Sequence, residues 1–187
     1  MPKQPESLIA ALPSDKARVK YPAIKALRAM SERSPGVLYP HFDFFAGLLG
    51  GENNILRWNT MLILGNLAAV DAERKLDAIL ASYLAPIAGP QLIDANNTMS
   101  GATAIALARP ELADKVVAHI LKAERGRYAT PECRNVAIGR ALECLARLLT
   151  VVPDPRPIQR FARRQVKNSR PATAKKAQRL LKRTLKP

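Results

Sequence analysis

The residues best suited to chemistry lie at the C-terminal end of this 187-residue chain. Residues 155–187 hold 12 basic side chains and no acidic one, whereas residues 1–154 hold 18 basic and 15 acidic. Most of the net charge of +15 therefore belongs to the last 33 residues. Pro153, Pro155 and Pro157 exclude a continuous helix at the entry to this region. Beyond them the spacing predicts two basic amphipathic helices, over residues 157–168 and 171–186. In the first, Ile158, Phe161, Gln165 and Val166 fall inward, and Arg156, Arg160, Arg163, Arg164 and Lys167 fall outward. In the second, Ala174, Ala177, Leu181 and Leu185 form a narrow apolar stripe. It is bordered by Lys175, Lys176, Arg179, Lys182, Arg183 and Lys186. Cations in this arrangement neutralise phosphates and release condensed counterions, which makes binding salt-dependent. Nucleic acid, an anionic membrane surface or an acidic protein are the partners such an asymmetry points to. The polyanion-binding residues expected are Arg160, Arg163, Arg164, Lys167, Lys175, Lys176, Arg179, Lys182 and Arg183.

Catalytic patterns are not visible. His41 and His119 are far apart in sequence, and no Cys/His cluster has the spacing of a zinc site. There is no Gly-x-x-x-x-Gly-Lys phosphate loop and no Gly-x-Ser-x-Gly elbow. Scattered carboxylates such as Asp43, Asp77 and Asp94 read as helix caps and surface groups. A non-enzymatic chain without cofactor or metal is expected.

The elements that must carry these residues read as all-helical. Alanine and leucine dominate and aromatics make up only 5% of the chain, a mix that favours closely packed helices. The length fits one domain, or one domain with an appendage. No apolar run reaches the eighteen or so residues of a membrane span, and the N-terminal apolar stretch is too short for a secretory signal. Cys133 and Cys144 share one expected helix, roughly 16 Å apart along its axis, too far to pair with each other. They read as buried thiols in a reducing cytoplasm. The central element is Glu52–Val70, where Leu56, Ile63, Leu64 and Leu67 share a face and Trp58, Met61, Leu62 and Ala69 occupy the other. A helix apolar nearly all round is a buried one. Further helices are expected over 5–12, 16–32, 37–49, 71–84, 91–108, 109–124 and 131–149.

Every second helix can be laid on the central one. Its frame is Leu56-Arg57, Thr60, Ile63-Leu64-Gly65 and Leu67. The first copy is Val19-Lys20, Ala23, Ala26-Leu27-Arg28 and Met30. The third is Met99-Ser100, Thr103 and Ala106-Leu107-Ala108. Weaker copies hold Ile138, Ala141-Leu142 and Leu145, then Ala177 and Leu180-Leu181. The marker leucines Leu27, Leu64, Leu107, Leu142 and Leu181 are spaced by 37, 43, 35 and 39 residues. A helix pair repeating at about 40 residues is the signature of an α-solenoid.

On these residues the chain resembles the HEAT-repeat, armadillo-like family. The resemblance implies a right-handed α-solenoid of about five helix pairs. Residues 1–152 would form the repeats, and 153–187 a basic helical pair that caps the same domain. A cap needs a polar outer face, which is the competing reading of the basic end. HEAT proteins are mostly scaffolds whose second helices line a concave surface. By that analogy Tyr21, Lys25, Arg28, Trp58, Met61 and Arg140 would meet a protein partner there. The competing readings are that Trp58 merely fills space left by small neighbours and that the basic residues form a solvated face. Some DNA glycosylases for alkylated bases are similar in fold, but Trp58 and Asp94 alone do not reproduce their pattern of several aromatics and an acid. The reading is thus a non-catalytic, cytoplasmic scaffold for a protein partner, with nucleic-acid binding through the C-terminal helices as the alternative. The sequence says nothing about oligomeric state.

Overall fold

The computed structural model describes residues 4–184, so the expected contributions of Leu185 and Lys186 lie outside the described residues. These residues form α-helices joined by short 3-10 turns, with no strand among them. The chain divides into two compact units, Met1–Tyr83 and Leu84–Pro187.

The first unit comprises α1 (Pro5–Ala10), α2 (Ala17–Arg33), α3 (Pro35–Leu38), α4 (Phe42–Leu48), α5 (Asn54–Leu67) and α6 (Lys75–Leu84). The helix expected over 37–49 is broken: a 3-10 turn, Tyr39–His41, separates α3 from α4. Pro40 at its centre has no N–H to give to a continuing helix. Helix α5 starts where its sequence provides a cap, the Asn53 side chain accepting from the Leu56 N–H at 3.1 Å. It packs against α2, α3 and α4. Ile63, Leu64 and Leu67 of α5, Ile24 and Leu27 of α2, and Phe45 of α4 are fully buried. Burial of each such side chain contributes about 1.5–3 kcal/mol. A polar bond joins α2 to α5, the Asn66 amide donating to the Ser31 hydroxyl at 2.9 Å. Helix α6 begins at Lys75 rather than Asp71, because the Asp71 carboxylate serves its free donors. It accepts from Lys75 N–H at 2.8 Å and Leu76 N–H at 3.1 Å, and from the Tyr39 hydroxyl at 2.8 Å.

The second unit comprises α7 (Leu92–Ala108), α8 (Ala113–Ile120), α9 (Pro131–Leu148), α10 (Arg156–Gln165) and α11 (Pro171–Thr184). Helix α9 lies between α7 and α11, while α8 packs on α7 and α9, and α10 packs on α11. Cross-links fix the directions. Arg140 of α9 donates to Ser100 of α7, and one turn on Thr103 is bonded to Cys144. The Thr173 hydroxyl of α11 donates to the Asn135 carbonyl of α9 at 2.9 Å, and Lys176 reaches Glu143 at 2.7 Å. In each pair both partners advance together along the chain, so α7, α9 and α11 run parallel. The linker between α6 and α7 is held close to the segment before α9. Arg127 N–H donates to Ala88 O at 2.9 Å, and a Cβ on Gly89 would stand 2.6 Å from Arg127 O. With φ at +91°, that position also requires glycine's freedom.

The five marker leucines differ in burial. Leu27, Leu64 and Leu142 are at most 1% exposed, but Leu107 and Leu181 are only half-buried. Ala106 and Leu180 take the core positions instead. A one-residue offset turns a helix by about 100°. The small residues of α7 and the spread of apolar positions on α11 leave either neighbour able to face inward.

Candidate nucleic-acid interface

The basic helices dock on the rest of the second unit. Ile158, Phe161 and Ala162 of α10 and Ala177 and Leu180 of α11 are buried. Glu124, in the 3-10 segment after α8, anchors α10. It accepts from Arg164 at 2.9 Å and 2.7 Å and from the Gln165 amide at 2.7 Å. The Arg164 hydrogen bonds hold the Glu124 carboxyl below its ordinary range. Glu143 anchors α11, receiving Lys176 at 2.7 Å and Arg140 at 3.2 Å. Burial pushes the Glu143 carboxyl up, but the hydrogen bonds and charges of these two cations outweigh it, leaving it below the ordinary range. Glu132 pairs with Arg170, Glu111 with Arg109, and Asp154 with Arg156.

These pairs decide where the charge goes. Residues 84–187 hold 20 basic and 7 acidic side chains. At least five of the seven carboxylates are engaged in the struts just described. Of the nine expected polyanion residues, Arg164 and Lys176 are therefore committed to docking. Arg160, Arg163, Lys167, Lys175, Arg179, Lys182 and Arg183 are exposed, with no salt bridge among the described residues. Arg160 is the one whose charge reaches Asp154 and helps lower its carboxyl, after the bonds from Arg156. Arg156, Arg160 and Arg163 recur at helical spacing along α10, with Lys167 in the turn after it, and Lys175, Arg179, Lys182 and Arg183 recur along α11. Between α9 and α11 runs an open groove of about 310 Å³. Its floor is Leu142, Ala146 and Leu180, and Lys176, Arg179 and Arg183 line it on the α11 side.

The residues expected to meet a protein partner are distributed differently. Lys25, Arg28 and Trp58 line one groove of about 490 Å³ between α2 and α5, with Ala29, Glu32, Ile55 and Asn59. Tyr21 lies one turn before Lys25 on the same face of α2, half-buried, with the Lys20 ammonium 5.7 Å from its ring centre. Met61 is not at a surface: it is 2% exposed, and its carbonyl accepts from the buried Tyr83 hydroxyl at 2.6 Å. Its place in a contact surface is corrected. The side of α5 opposite the marker leucines is itself packed, so Met61 belongs to the core. Arg140 lies in the second unit, tied to Glu143 and Ser100. Arg57 of α5 donates to Gly51 O at 2.8 Å and Asn54 Oδ1 at 2.6 Å, holding the entry to its own helix.

The remaining reactive groups are dispersed. His41 sits 3.5 Å from Glu6, and His119 is bonded to the Lys115 carbonyl one turn back on α8. The expectation of buried thiols is met at Cys144 and not at the half-exposed Cys133. Burial pushes the Cys144 thiol up, against nucleophilic use. Among the described residues no three His, Cys, Asp or Glu side chains are grouped to hold a metal ion. No helix among them is long and apolar enough to cross a membrane. The residues that sequence reasoning missed are Glu124 and Glu143. They are isolated carboxylates on otherwise basic or apolar stretches, and nothing in their spacing marks Arg164 and Gln165, 40 and 41 residues beyond Glu124, or Lys176, well beyond Glu143.

No protein-family model matches this chain, and no curated protein matches it. Among solved structures, the fold is similar to the crystal structure of an engineered protein, a target of the Northeast Structural Genomics Consortium. The match has a TM-score of 0.56 at 13% identity and covers 95% of this chain and 78% of that one. At that identity the likeness is one of fold.

Proposed function

We propose that this protein is a non-catalytic binding module that holds nucleic acid by its phosphates on the second unit. The observation that carries this reading is the separation of its charges. Five of the seven carboxylates of the second unit are paired with Arg or Lys, three of them tying separate elements together, while seven cations of α10, the turn after it and α11 stay exposed with no salt bridge among the described residues. Surface cations are ordinarily interspersed with acids, and a field of one sign attracts a polyanion and steers its approach. We further propose that the helices form a short HEAT-like right-handed α-solenoid of about five pairs, working in the cytoplasm. The parallel order of α7, α9 and α11, with α8 and α10 joining them, supports the first part. The free thiols Cys133 and Cys144 support the second.

The test is fluorescence anisotropy with labelled duplex and single-stranded DNA and RNA, using the whole chain. The variant carries Arg163→Glu, Lys167→Glu, Arg179→Glu and Lys182→Glu, all at exposed positions outside the docking pairs. Binding by the wild type, lost by about a hundredfold or more in a variant with unchanged circular dichroism, supports the reading. Equal binding by both proteins, or none by either, overturns it.

A further inference from the structure

The groove between α2 and α5 differs in kind from the basic surface of the second unit. The apolar part of its lining is Ala29, Ile55 and Trp58, all half-buried. Its charges do not accumulate. Arg28 and Glu32, one turn apart on α2, pair at 3.2 Å and cancel each other. Lys25 is left exposed at one end with no salt bridge among the described residues. The Asn59 amide nitrogen donates one N–H to the Ile55 carbonyl at 2.8 Å, and its second N–H and its oxygen are the polar groups it can turn to a ligand. At about 490 Å³ the groove is within the range that encloses small ligands and short chain segments.

A phosphate chain needs cations at each step, and this groove offers one uncompensated charge. A long apolar helix would leave Lys25 and the Arg28–Glu32 pair facing carbon. What matches an apolar lining, a tryptophan ring and a single cation is a segment with an apolar anchor and one carboxylate beside it. We propose that the α2–α5 groove binds a short amphipathic peptide segment of a protein partner. Its apolar side chain sits between Ala29, Ile55 and Trp58, and its carboxylate meets Lys25. The chain then carries two sites of different chemistry, peptide on the first unit and polyanion on the second, as an adaptor requires. This site stands whether or not the second unit binds nucleic acid.

Trp58 is the only tryptophan, so its emission reports on this groove directly. The probe is a fluorescein-labelled, amidated ten-residue peptide with two leucines three positions apart and a glutamate flanking each. Controls replace its glutamates with lysine or its leucines with serine, and a fourth ligand is an unlabelled thymidine oligonucleotide. The wild type is expected to bind the acidic leucine peptide saturably, with a blue shift of Trp58 on addition of the unlabelled form. Lys25→Glu, at an exposed position that leaves folding intact, is expected to weaken that peptide about tenfold and to improve the lysine version. Loss of binding by the serine control places the anchor on the apolar lining. Three results overturn the proposal: no saturable binding of the leucine peptide at millimolar concentration, equal affinity in wild type and Lys25→Glu, or displacement by the thymidine oligonucleotide. The last would make the groove a nucleic-acid site.

Discussion

Gly139 of α9 lies directly against Thr173 of α11. A Cβ at position 139 would stand 2.9 Å from the Thr173 hydroxyl, which is itself bonded to the Asn135 carbonyl at 2.9 Å. Thr173 is 1% exposed, so it has little room to withdraw. Gly139→Ala gains about 1 kcal/mol of helix propensity but forces α9 and α11 apart, at a cost of about 1–3 kcal/mol. The net expected effect is a small loss, read as a lower urea midpoint. The double variant with Thr173→Ser, which removes the methyl that limits rotation, is expected to recover part of it. A midpoint above wild type for Gly139→Ala would show that the two helices are less closely pinned.

Glu124 gives the docking of α10 a pH dependence. Its folded carboxyl lies below the ordinary value of 4.5 because Arg164 donates to it. A depressed carboxyl contributes stability above its unfolded value and loses it as pH falls through the folded one. Glu124→Gln is expected to cost about 1–2 kcal/mol at neutral pH, the half-exposed Arg164 keeping the figure modest. The gap to wild type should close as pH drops below 4.5. A gap that is unchanged between about pH 6 and pH 3 would mean that the pair contributes through packing alone.

Glu143 competes with any polyanion for Lys176 and Arg140. It is 44% exposed on its side chain and receives both cations at the edge of the α9–α11 groove. Glu143→Gln is expected to raise duplex affinity about two- to tenfold at low salt, since it removes one negative charge and releases two positive ones. An unchanged or weaker affinity in anisotropy titrations would place the bound strand away from this groove.

Phe161 carries the hydrophobic share of the same docking. It is fully buried on a helix whose other face is almost entirely basic. Phe161→Ala is expected to cost about 3–5 kcal/mol in chemical denaturation. The loss should appear in hydrogen exchange as weakened protection of α10 and α11 together, because these two helices pack on each other. Protection lost only in α10 would show the two helices docking independently.

The elements were legible where pattern and punctuation agree. The span of α9 follows from Thr130 as cap, Pro131 at the first turn and an unbroken apolar period to Leu148. The start of α5 follows in the same way from Asn53. The inward set of α10 was readable in part: Ile158, Phe161 and Gln165 are buried, whereas Val166, expected with them, is half-buried and Ala162 fills the core position instead. What misled was composition without direction. On α7 and α5 apolar or small residues occur on every side, so periodicity could not separate Leu107 from Ala106, nor show that Met61 packs inward while Trp58 reaches a groove. Long-range polar contacts were out of reach for a different reason. The bonds from Tyr39 to Asp71 and from Arg164 to Glu124 depend on which helices become neighbours, and single side chains leave no periodic trace. The charge asymmetry was plain in the sequence. Which cations are spent on docking, and which are left for a ligand, was not.

The most direct measurement is the salt dependence of duplex binding by the intact chain. Log affinity against log salt has a slope of about −0.9 for each phosphate neutralised. If the exposed cations of α10 and α11 hold the backbone, the expected slope is about −3 to −6, and reversing the charge of Arg163, Lys167, Arg179 and Lys182 flattens it. A slope near zero, or one that the reversal leaves unchanged, would contradict phosphate binding on the second unit.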